Sequence, residues 1–173
     1  MNNKNKKYLK LIAIFYIIQN IRNIQNYWII AMKKRWVESL ENLEKANAAL
    51  REVANLYLEG GHNQVMLNII RDSLIQRFEF TVELVHKTFN FYAKDQGGSH
   101  EEFAKQRVRK AAKAGLIDDT QAWIDMINSR NDTSHNYDQK SAEEIAESIG
   151  KNYVALLNEA VTKLQNKRAE NHD

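Results

Sequence analysis

A long helical pattern at residues 64–93 constrains the fold of this chain more than any other sequence feature, because its apolar positions recur every three or four residues. The apolar face is wide, which is typical of a helix with neighbours on several sides. The residues predicted to face inward are Leu67, Ile70, Leu74, Phe78, Thr81, Leu84, Val85, Thr88 and Tyr92. Those predicted to face outward are Asp72, Gln76, Glu79, Glu83, His86 and Asn90. The pattern predicts the central helix of an all-α bundle.

One predicted helix precedes the central helix and another follows it. The first covers residues 34–58, where helical spacing predicts an inward face. That face consists of Trp36, Leu40, Leu43, Asn47, Leu50 and Ala54. The third helix covers residues 100–114. Ser99 is expected to begin it as a capping box with Glu102, and Gly115 is typical of the residue that follows a helix.

Two further helices complete the predicted bundle. The fourth begins near residues 118–119, whose acidic side chains favour a helix N-terminus. The fifth covers residues 141–165 and is expected to begin with a capping box of Ser141 and Glu144. Its predicted inward residues are Ile149, Tyr153, Leu156 and Ala160. Because the chain lacks proline and a strand pattern, and its connections are short, we predict an up-and-down antiparallel bundle of about five helices.

Residues 1–31 differ in composition from the rest, being rich in Asn, Ile, Lys and Tyr. Their longest apolar run, residues 11–18, is much shorter than the ~20 residues that a membrane helix needs. We expect this segment to be an N-terminal extension outside the fold, with Met32 as the natural start. Residues 32–173 are then one helical-bundle domain.

Charge and composition exclude several classes of protein. Residues 1–35 hold eight basic side chains and no acid, so the remainder, with 17 basic and 22 acidic residues, is mildly acidic and unlike a general nucleic-acid binder. The absence of cysteine excludes disulfides and thiol catalysis, and fits a cytoplasmic protein. The sequence contains no P-loop, G-x-G-x-x-G or G-x-S-x-G motif and no i, i+4 histidine pair, so we expect no cofactor and no metal. Because the longest N-terminal apolar run is too short for a membrane helix, we also expect no membrane association.

Residues 123–137, WIDMINSRNDTSHNY, turn an apolar helix face into a polar one. On an ideal helix Ile124, Ile127, Asn131 and His135 share a face, and the two isoleucines are expected to point into the core. Arg130 lies nearby, and with His135 it forms an R-x4-H pattern. This spacing leaves two interpretations open: a catalytic pair, or a hydrogen-bond network that caps the helix.

The catalytic interpretation corresponds to RNA cleavage without a metal. A histidine such as His135 titrates near neutral pH and can act as general acid or base, and an arginine such as Arg130 matches phosphate oxygens in a bidentate way. On an ideal helix the two residues lie ~140° apart, so their convergence requires a local break or a second chain at a two-fold axis.

Other basic residues are candidates for contacts with phosphate or a partner. Arg77 is predicted to project on the apolar side of the central helix, where a buried charge needs a partner. An ion pair is the favoured partner, and a phosphate is the alternative. Lys105, Arg109 and Lys113 are spaced to share a face of the third helix. That face could be an ordinary solvated one, or it could meet phosphates or an acidic partner.

Two stretches carry a resemblance to a known family. The sequences IQRFEFTVELVHK, residues 75–87, and VRKAAKAGLIDDTQAWIDMINSRNDTSHNY, residues 108–137, resemble the nucleotidyltransferase substrate-binding proteins of the HEPN group, which are similar to the HepT toxins. The resemblance extends over residues 33–164. It implies a HEPN-like four-helix core, a homodimer, and association with a minimal nucleotidyltransferase encoded nearby.

The resemblance also implies roles for individual residues. Arg130 and His135 become the candidate catalytic pair, Asn131 a polar support, and Tyr137 a candidate site for modification with AMP. The pair Val85-His86 departs from relatives, which more often have Ala-Trp there.

Two classes of function follow from the resemblance. One is a binding subunit for a nucleotidyltransferase in a two-gene toxin–antitoxin-like module. The other is a metal-independent endoribonuclease toxin that acts on RNA and whose Tyr137 is AMPylated by the partner nucleotidyltransferase.

Overall fold

The computed structural model describes the backbone of residues 3–132 and 139–170, and the side chains of residues 16–27, 35–132 and 141–170. Within these ranges every regular element is helical. The helices are α1 (Asn3–Glu59), α2 (Gln64–Asp95), α3 (Ala104–Lys113), α4 (Thr120–Asp132), α5 (Gln139–Ser148) and α6 (Val154–Glu170), and the π-helical turn Ile149–Tyr153 joins the last two. Helix α2 contacts α1, α3, α4 and α5, whereas α6 packs against α1. The predicted all-α bundle is therefore confirmed.

Two tryptophans anchor the core on the C-terminal half of α2. Trp36 of α1 meets Tyr92 edge to face, with ring centroids 5.3 Å apart. Trp123 of α4 lies against Phe89, with ring centroids 5.5 Å apart. Both indoles are almost completely buried, and the six α1 residues predicted to face inward are buried as well. Large aromatic side chains contribute strongly when buried, so these contacts fix α1 and α4 on the central helix.

The first helix is longer than predicted. The predicted start at residue 34 is wrong, because α1 continues without a break from Asn3. The side chains of residues 16–27 are all exposed, so this stretch adds nothing to the core formed by the described residues. That residues 32–173 form the domain stays a prediction. No helix in the described part of the chain combines the length and apolar character needed to cross a membrane.

Helix α3 begins later than predicted, at Ala104, and the Ser99–Glu102 capping box is wrong. The Ser99 hydroxyl instead donates to Glu101 at 3.2 Å and accepts from the Lys110 ammonium at 2.8 Å. The end of the helix is as predicted. Gly115 has a φ of +71° and follows the helix, where the next amide donates to Ala111 at 2.9 Å.

The last predicted helix is two helices joined by the π turn. The Ser141–Glu144 capping box is wrong, because Ser141 already lies within α5 and an N-cap needs non-helical backbone. The π turn adds a residue to one helical turn and shifts the inward face, so Leu157 is fully buried where Leu156 is only partly so. Gly150 permits this turn to approach α1, since a Cβ there would lie 3.2 Å from Leu58.

One prediction for α2 is wrong in a way that matters for function. His86 and Asn90 were expected to face outward, but only 7% and 5% of their surfaces are exposed. The reason is that α3 packs on this side of α2 and buries Val108 and Ala111. The packing places two polar side chains, one helical turn apart, inside the bundle.

Candidate functional site

The buried side of α4 leads to Arg130. Asp119 caps the helix by accepting a hydrogen bond from the Ala122 amide at 2.9 Å. Trp123 and Ile127 are buried, and Arg130, three residues further on, is half-buried. The predicted stripe is therefore rotated: Arg130, and not the exposed Asn131, continues the inward face. Ile124, also expected in the core, is only half-buried.

A hydrogen bond holds the last turn of α4 in place. The Ser129 hydroxyl lies 2.8 Å from the phenolic oxygen of Tyr153 in the π turn. The Tyr153 ring in turn stacks on Phe78 of α2, with ring centroids 5.6 Å apart. These contacts position the residue before Arg130 and limit the directions that the arginine side chain can take.

Two further residues complete the predicted motif. His135 and Tyr137 lie outside the described residues. The catalytic pair Arg130–His135 and the modification site Tyr137 therefore stay predictions.

A cavity of about 280 Å³ lies between α2, α3 and α4, next to Arg130. Its polar lining includes His86 and Lys87 from α2, Arg107 from α3, and Arg130 and Asn131 from α4. Three separate helices thus bring cationic or imidazole groups to one small space, which the linear sequence keeps far apart. We call this space the His86 cavity.

His86 is an unusual residue to find at the wall of such a cavity. Neither of its ring nitrogens has a hydrogen-bond partner among the described residues, although both are buried. Burial lowers the pKa of the imidazole to about 4, and the charges of Arg107 and Arg130 act in the same direction. His86 is therefore a neutral imidazole at physiological pH, without a hydrogen bond to the described part of the chain.

Arg107 faces the same cavity from α3. One terminal nitrogen of its guanidinium donates to the Glu101 carbonyl at 3.4 Å, whereas the buried Nε has no partner within the described residues. Burial lowers the pKa of this guanidinium, but an arginine remains charged at neutral pH. The cavity therefore contains a partly desolvated cation with a hydrogen-bond donor to spare.

Among the described residues that line the cavity, one is acidic. Glu83 is its acidic lining residue, and its carboxylate lies 2.9 Å from Nζ of Lys87. The hydrogen bond from Lys87 is the largest cause of the lowered pKa of Glu83, and Arg130 contributes more weakly. With Lys87, Arg107 and Arg130 beside this one carboxylate, the described lining has a positive formal charge.

Not every predicted binding residue belongs to this cavity. The prediction that Arg77 projects on the apolar side of α2 is wrong, because its side chain is exposed and its Nε donates to Ser73 at 3.4 Å. Lys105, Arg109 and Lys113 are exposed on α3, as a solvated face or a partner surface requires. Their roles in binding a partner or phosphate stay predictions.

Lys113 borders a second, larger cavity. This cavity, of about 380 Å³, lies between α2, α3 and α6, and it is lined by Lys113, Lys110 and Lys167 together with Phe89. Lys110 is paired with Glu101 and Lys167 with Glu170, so two of its three ammonium groups have carboxylate partners.

Sequence reasoning missed His86 and Arg107 as site residues. A signal for His86 was available, since the apolar side of α3 requires a surface to pack on. The opposite face of the central helix was the surface still uncovered, and His86 and Asn90 lie on it at i, i+4 spacing. Arg107 gave no such signal, because it lies within a run of basic residues on a short helix.

The fold and the cavity define a class: a small helical bundle with a cationic pocket where three of its helices meet. Residues 38–166 match the family described as nucleotidyltransferase substrate binding protein like, and the chain belongs to this family.

Several relatives are similar to this chain. A Haemophilus influenzae protein named probable ribonuclease HepT is 34% identical over 83 residues, which cover 43% of this chain and 57% of that protein. The chain thus spans little more than half the length of this relative. A Thermus thermophilus protein of known crystal structure is 30% identical in sequence to this chain, with a TM-score of 0.61. The match covers 70% of this chain and 98% of the Thermus thermophilus chain.

A further solved structure shares the fold. The Haemophilus influenzae protein HI0074, described as revealing the fold of a substrate binding domain of a nucleotidyltransferase, has a TM-score of 0.63 at 24% identity. The match covers 73% of this chain and 98% of that structure.

Proposed function

We propose that this chain is the substrate-binding partner subunit of a minimal nucleotidyltransferase encoded beside it, in a cytoplasmic two-gene module of the toxin–antitoxin type. The observation that carries the proposal is the family match over residues 38–166. A positively charged pocket in a bundle that carries no nucleotidyltransferase motif of its own supports the same division of labour. The chain binds, and the partner transfers the nucleotidyl group.

Copurification tests the association. A tagged copy of this chain, coexpressed with the neighbouring nucleotidyltransferase, should retain the enzyme on an affinity column. Reversing the charges of Lys105, Arg109 and Lys113 together should release it, because all three side chains are exposed and their replacement leaves the core intact. Lys45→Glu, an exposed change on α1, is the matched control and should have no effect. Retention that is equal in all three proteins would contradict this binding surface.

The proposal includes a homodimer. Exposed Ile69, Arg77 and Phe80 lie on one side of α2, which gives this helix an apolar surface with a cation at its edge. Light scattering should therefore report twice the mass of the chain. Phe80→Glu should shift the protein toward the monomer, and a wild-type monomer at micromolar concentration would count against the dimer.

A second function is an endoribonuclease toxin, and two observations favour it. The Haemophilus influenzae relative is named a probable ribonuclease, and Arg130 of the R-x4-H motif borders a cationic cavity suited to phosphate. Under this proposal Arg130 and His135 cleave RNA with Asn131 in support, and Tyr137 accepts AMP from the partner as a means of control.

Four purified proteins separate the two functions. In EDTA, the parent chain and Tyr137→Phe should cleave RNA, whereas His135→Ala and Arg130→Lys should lose activity by ~10²–10⁴-fold. Of the two active proteins, only the parent should lose its ribonuclease activity when the nucleotidyltransferase and ATP are added. An inactive parent that still binds its partner supports the binding subunit and overturns the ribonuclease.

A further inference from the structure

The His86 cavity contains a polar group that the described residues leave without a partner. His86 is 7% exposed, and both of its nitrogens are buried and unbonded within the described residues. Buried polar groups in native proteins are nearly always hydrogen-bonded, and an exception asks for an explanation such as a ligand. The imidazole lines an open cavity, so its missing partner can enter from outside the chain.

The neighbours of His86 determine what kind of ligand fits. Arg107 of α3 and Arg130 of α4 lie close enough to lower the pKa of the imidazole by their charges. Arg107 also has a buried Nε that donates to no described atom. On α2 itself, Glu83 and Lys87 form an ion pair at the edge of the cavity. The cavity therefore offers several hydrogen-bond donors and a net positive charge, which favours an anion.

The arrangement favours a tetrahedral anion over a carboxylate. The donors come from three helices, so they approach the cavity from different sides. A phosphoryl group can accept hydrogen bonds from several directions through its oxygens, and guanidinium groups match phosphate in a bidentate way. The volume of about 280 Å³ lies near the lower end of the ~300–1,000 Å³ typical of ligand pockets, so one phosphoryl group with a small substituent fits.

We infer that the His86 cavity binds the phosphoryl group of inorganic phosphate or of a phosphate ester, with Arg107, Arg130 and His86 as donors. Binding supplies the imidazole with the partner that the described residues do not provide, and it favours the protonated form of His86. Val82, Ala104 and Ile127 form the apolar part of the wall and reduce competition from water. Arg130 also belongs to the proposed ribonuclease motif, but binding of phosphate requires neither cleavage nor the nucleotidyltransferase.

Isothermal titration of the full chain with inorganic phosphate and, separately, with 5′-AMP tests the site and distinguishes the two sources. Saturable binding of either ligand is the expected result, and tighter binding of 5′-AMP identifies the ester as the better ligand. Arg107→Gln should weaken binding ~10-fold or more, because it removes a charge-assisted donor. Arg51→Gln is the matched control: it removes the same charge from an exposed position on α1 and should leave the affinity unchanged.

A second measurement needs no variant. Addition of phosphate to the parent chain should move the Cε1 proton resonance of His86 and raise its pKa from about 4. Acetate at the same concentration should do neither. The inference would be overturned if no saturable binding occurred, or if Arg107→Gln and the parent bound phosphate equally well. It would also be overturned if acetate shifted the His86 resonance as phosphate does. The titration contains no RNA, so its result does not depend on ribonuclease activity. A chain that binds phosphate but is inactive in the separate RNA assay would support this site and overturn only the ribonuclease function.

Discussion

Asn90 and His86 lie one turn apart on the same face of α2, and both are buried beneath α3, yet their surroundings are opposite. Asn90 bonds in both directions to the backbone of Glu101: its amide nitrogen donates to the carbonyl at 3.1 Å and its oxygen accepts from the amide at 3.2 Å. His86 bonds to nothing described and faces a cavity. The same packing of α3 on α2 thus produces one satisfied polar residue and one unsatisfied one.

The difference separates a structural role from a functional one. Asn90 holds the segment before α3 in place through its bonds to Glu101. The Glu101 carbonyl also accepts a hydrogen bond from Arg107. Asn90 therefore helps to position a cation at the cavity. His86 does not hold the fold together through hydrogen bonds, because it makes none with the described residues. Its burial costs stability, and a residue that costs stability at a cationic cavity is best explained by binding.

The largest expected effect is on the pH dependence of stability. The pKa of His86 is about 4 in the folded chain and 6.5 for an ordinary imidazole, so the unfolded chain takes up the proton first as the pH falls. This stability is present above pH 6.5 and is lost toward pH 4, by about 3 kcal/mol for a shift of this size. Urea unfolding across this range measures the loss.

His86→Phe serves as the control for that prediction. The variant should keep most of its stability between pH 6.5 and 4, because phenylalanine cannot take up a proton. Carboxylates with lowered pKa values, such as Glu83 and Glu101, start from 4.5 and affect both proteins alike near the acidic end. Parallel pH profiles for the parent and His86→Phe would refute the assignment.

Asn90→Leu should have the next largest effect, a loss of about 2–3 kcal/mol in the free energy of unfolding at neutral pH. The change leaves the part-buried amide of Glu101 without its side-chain partner and its carbonyl with only the longer bond from Arg107, and an unsatisfied group costs about 1–3 kcal/mol. Asn55→Leu, at an exposed position on α1, should change stability by only about 0.5 kcal/mol. Equal effects of the two changes would show that the bonds of Asn90 do not matter.

The smallest effect should be that of His86→Phe at neutral pH, which we expect to leave the free energy of unfolding within about 1 kcal/mol of the parent. The change removes a neutral imidazole that makes no hydrogen bond with the described residues, so there is no such bond to lose. Thermal unfolding of the two proteins side by side checks this. A loss as large as that of Asn90→Leu would mean that His86 supports the fold, and the contrast between the two residues would fail.

Periodicity was sufficient to predict the helices that bury wide apolar faces. The inward residues of α1, such as Trp36 and Leu43, and the core positions of α2, such as Leu74 and Phe78, are buried as the pattern indicates. It failed where a local signal competes with distant contacts. Ser99 resembles a helix cap, but its hydroxyl bonds to Lys110, eleven residues away, and α3 starts later.

The site was only partly predictable for a related reason. The motif identified Arg130, because its spacing is local and can be recognised in a linear sequence. His86 and Arg107 reach the same cavity only through the packing of α3 on α2. The uncovered face of α2 was a signal for His86, but no spacing in the chain indicates that Arg107 lies there. The α4 face that includes Arg130 is likewise accompanied by a contact across the bundle, the Ser129–Tyr153 hydrogen bond, which local spacing does not indicate.

The protonation of His86 in the free chain tests this account most directly. A proton NMR titration of the parent, with His86→Phe used to assign the resonance, should give a pKa of about 4. Replacing Arg107 with glutamine should raise that pKa, because one of the charges that lower it is removed. A pKa near the ordinary 6.5, unchanged in Arg107→Gln, would mean that His86 is neither buried nor flanked by two guanidinium groups, and would contradict the account.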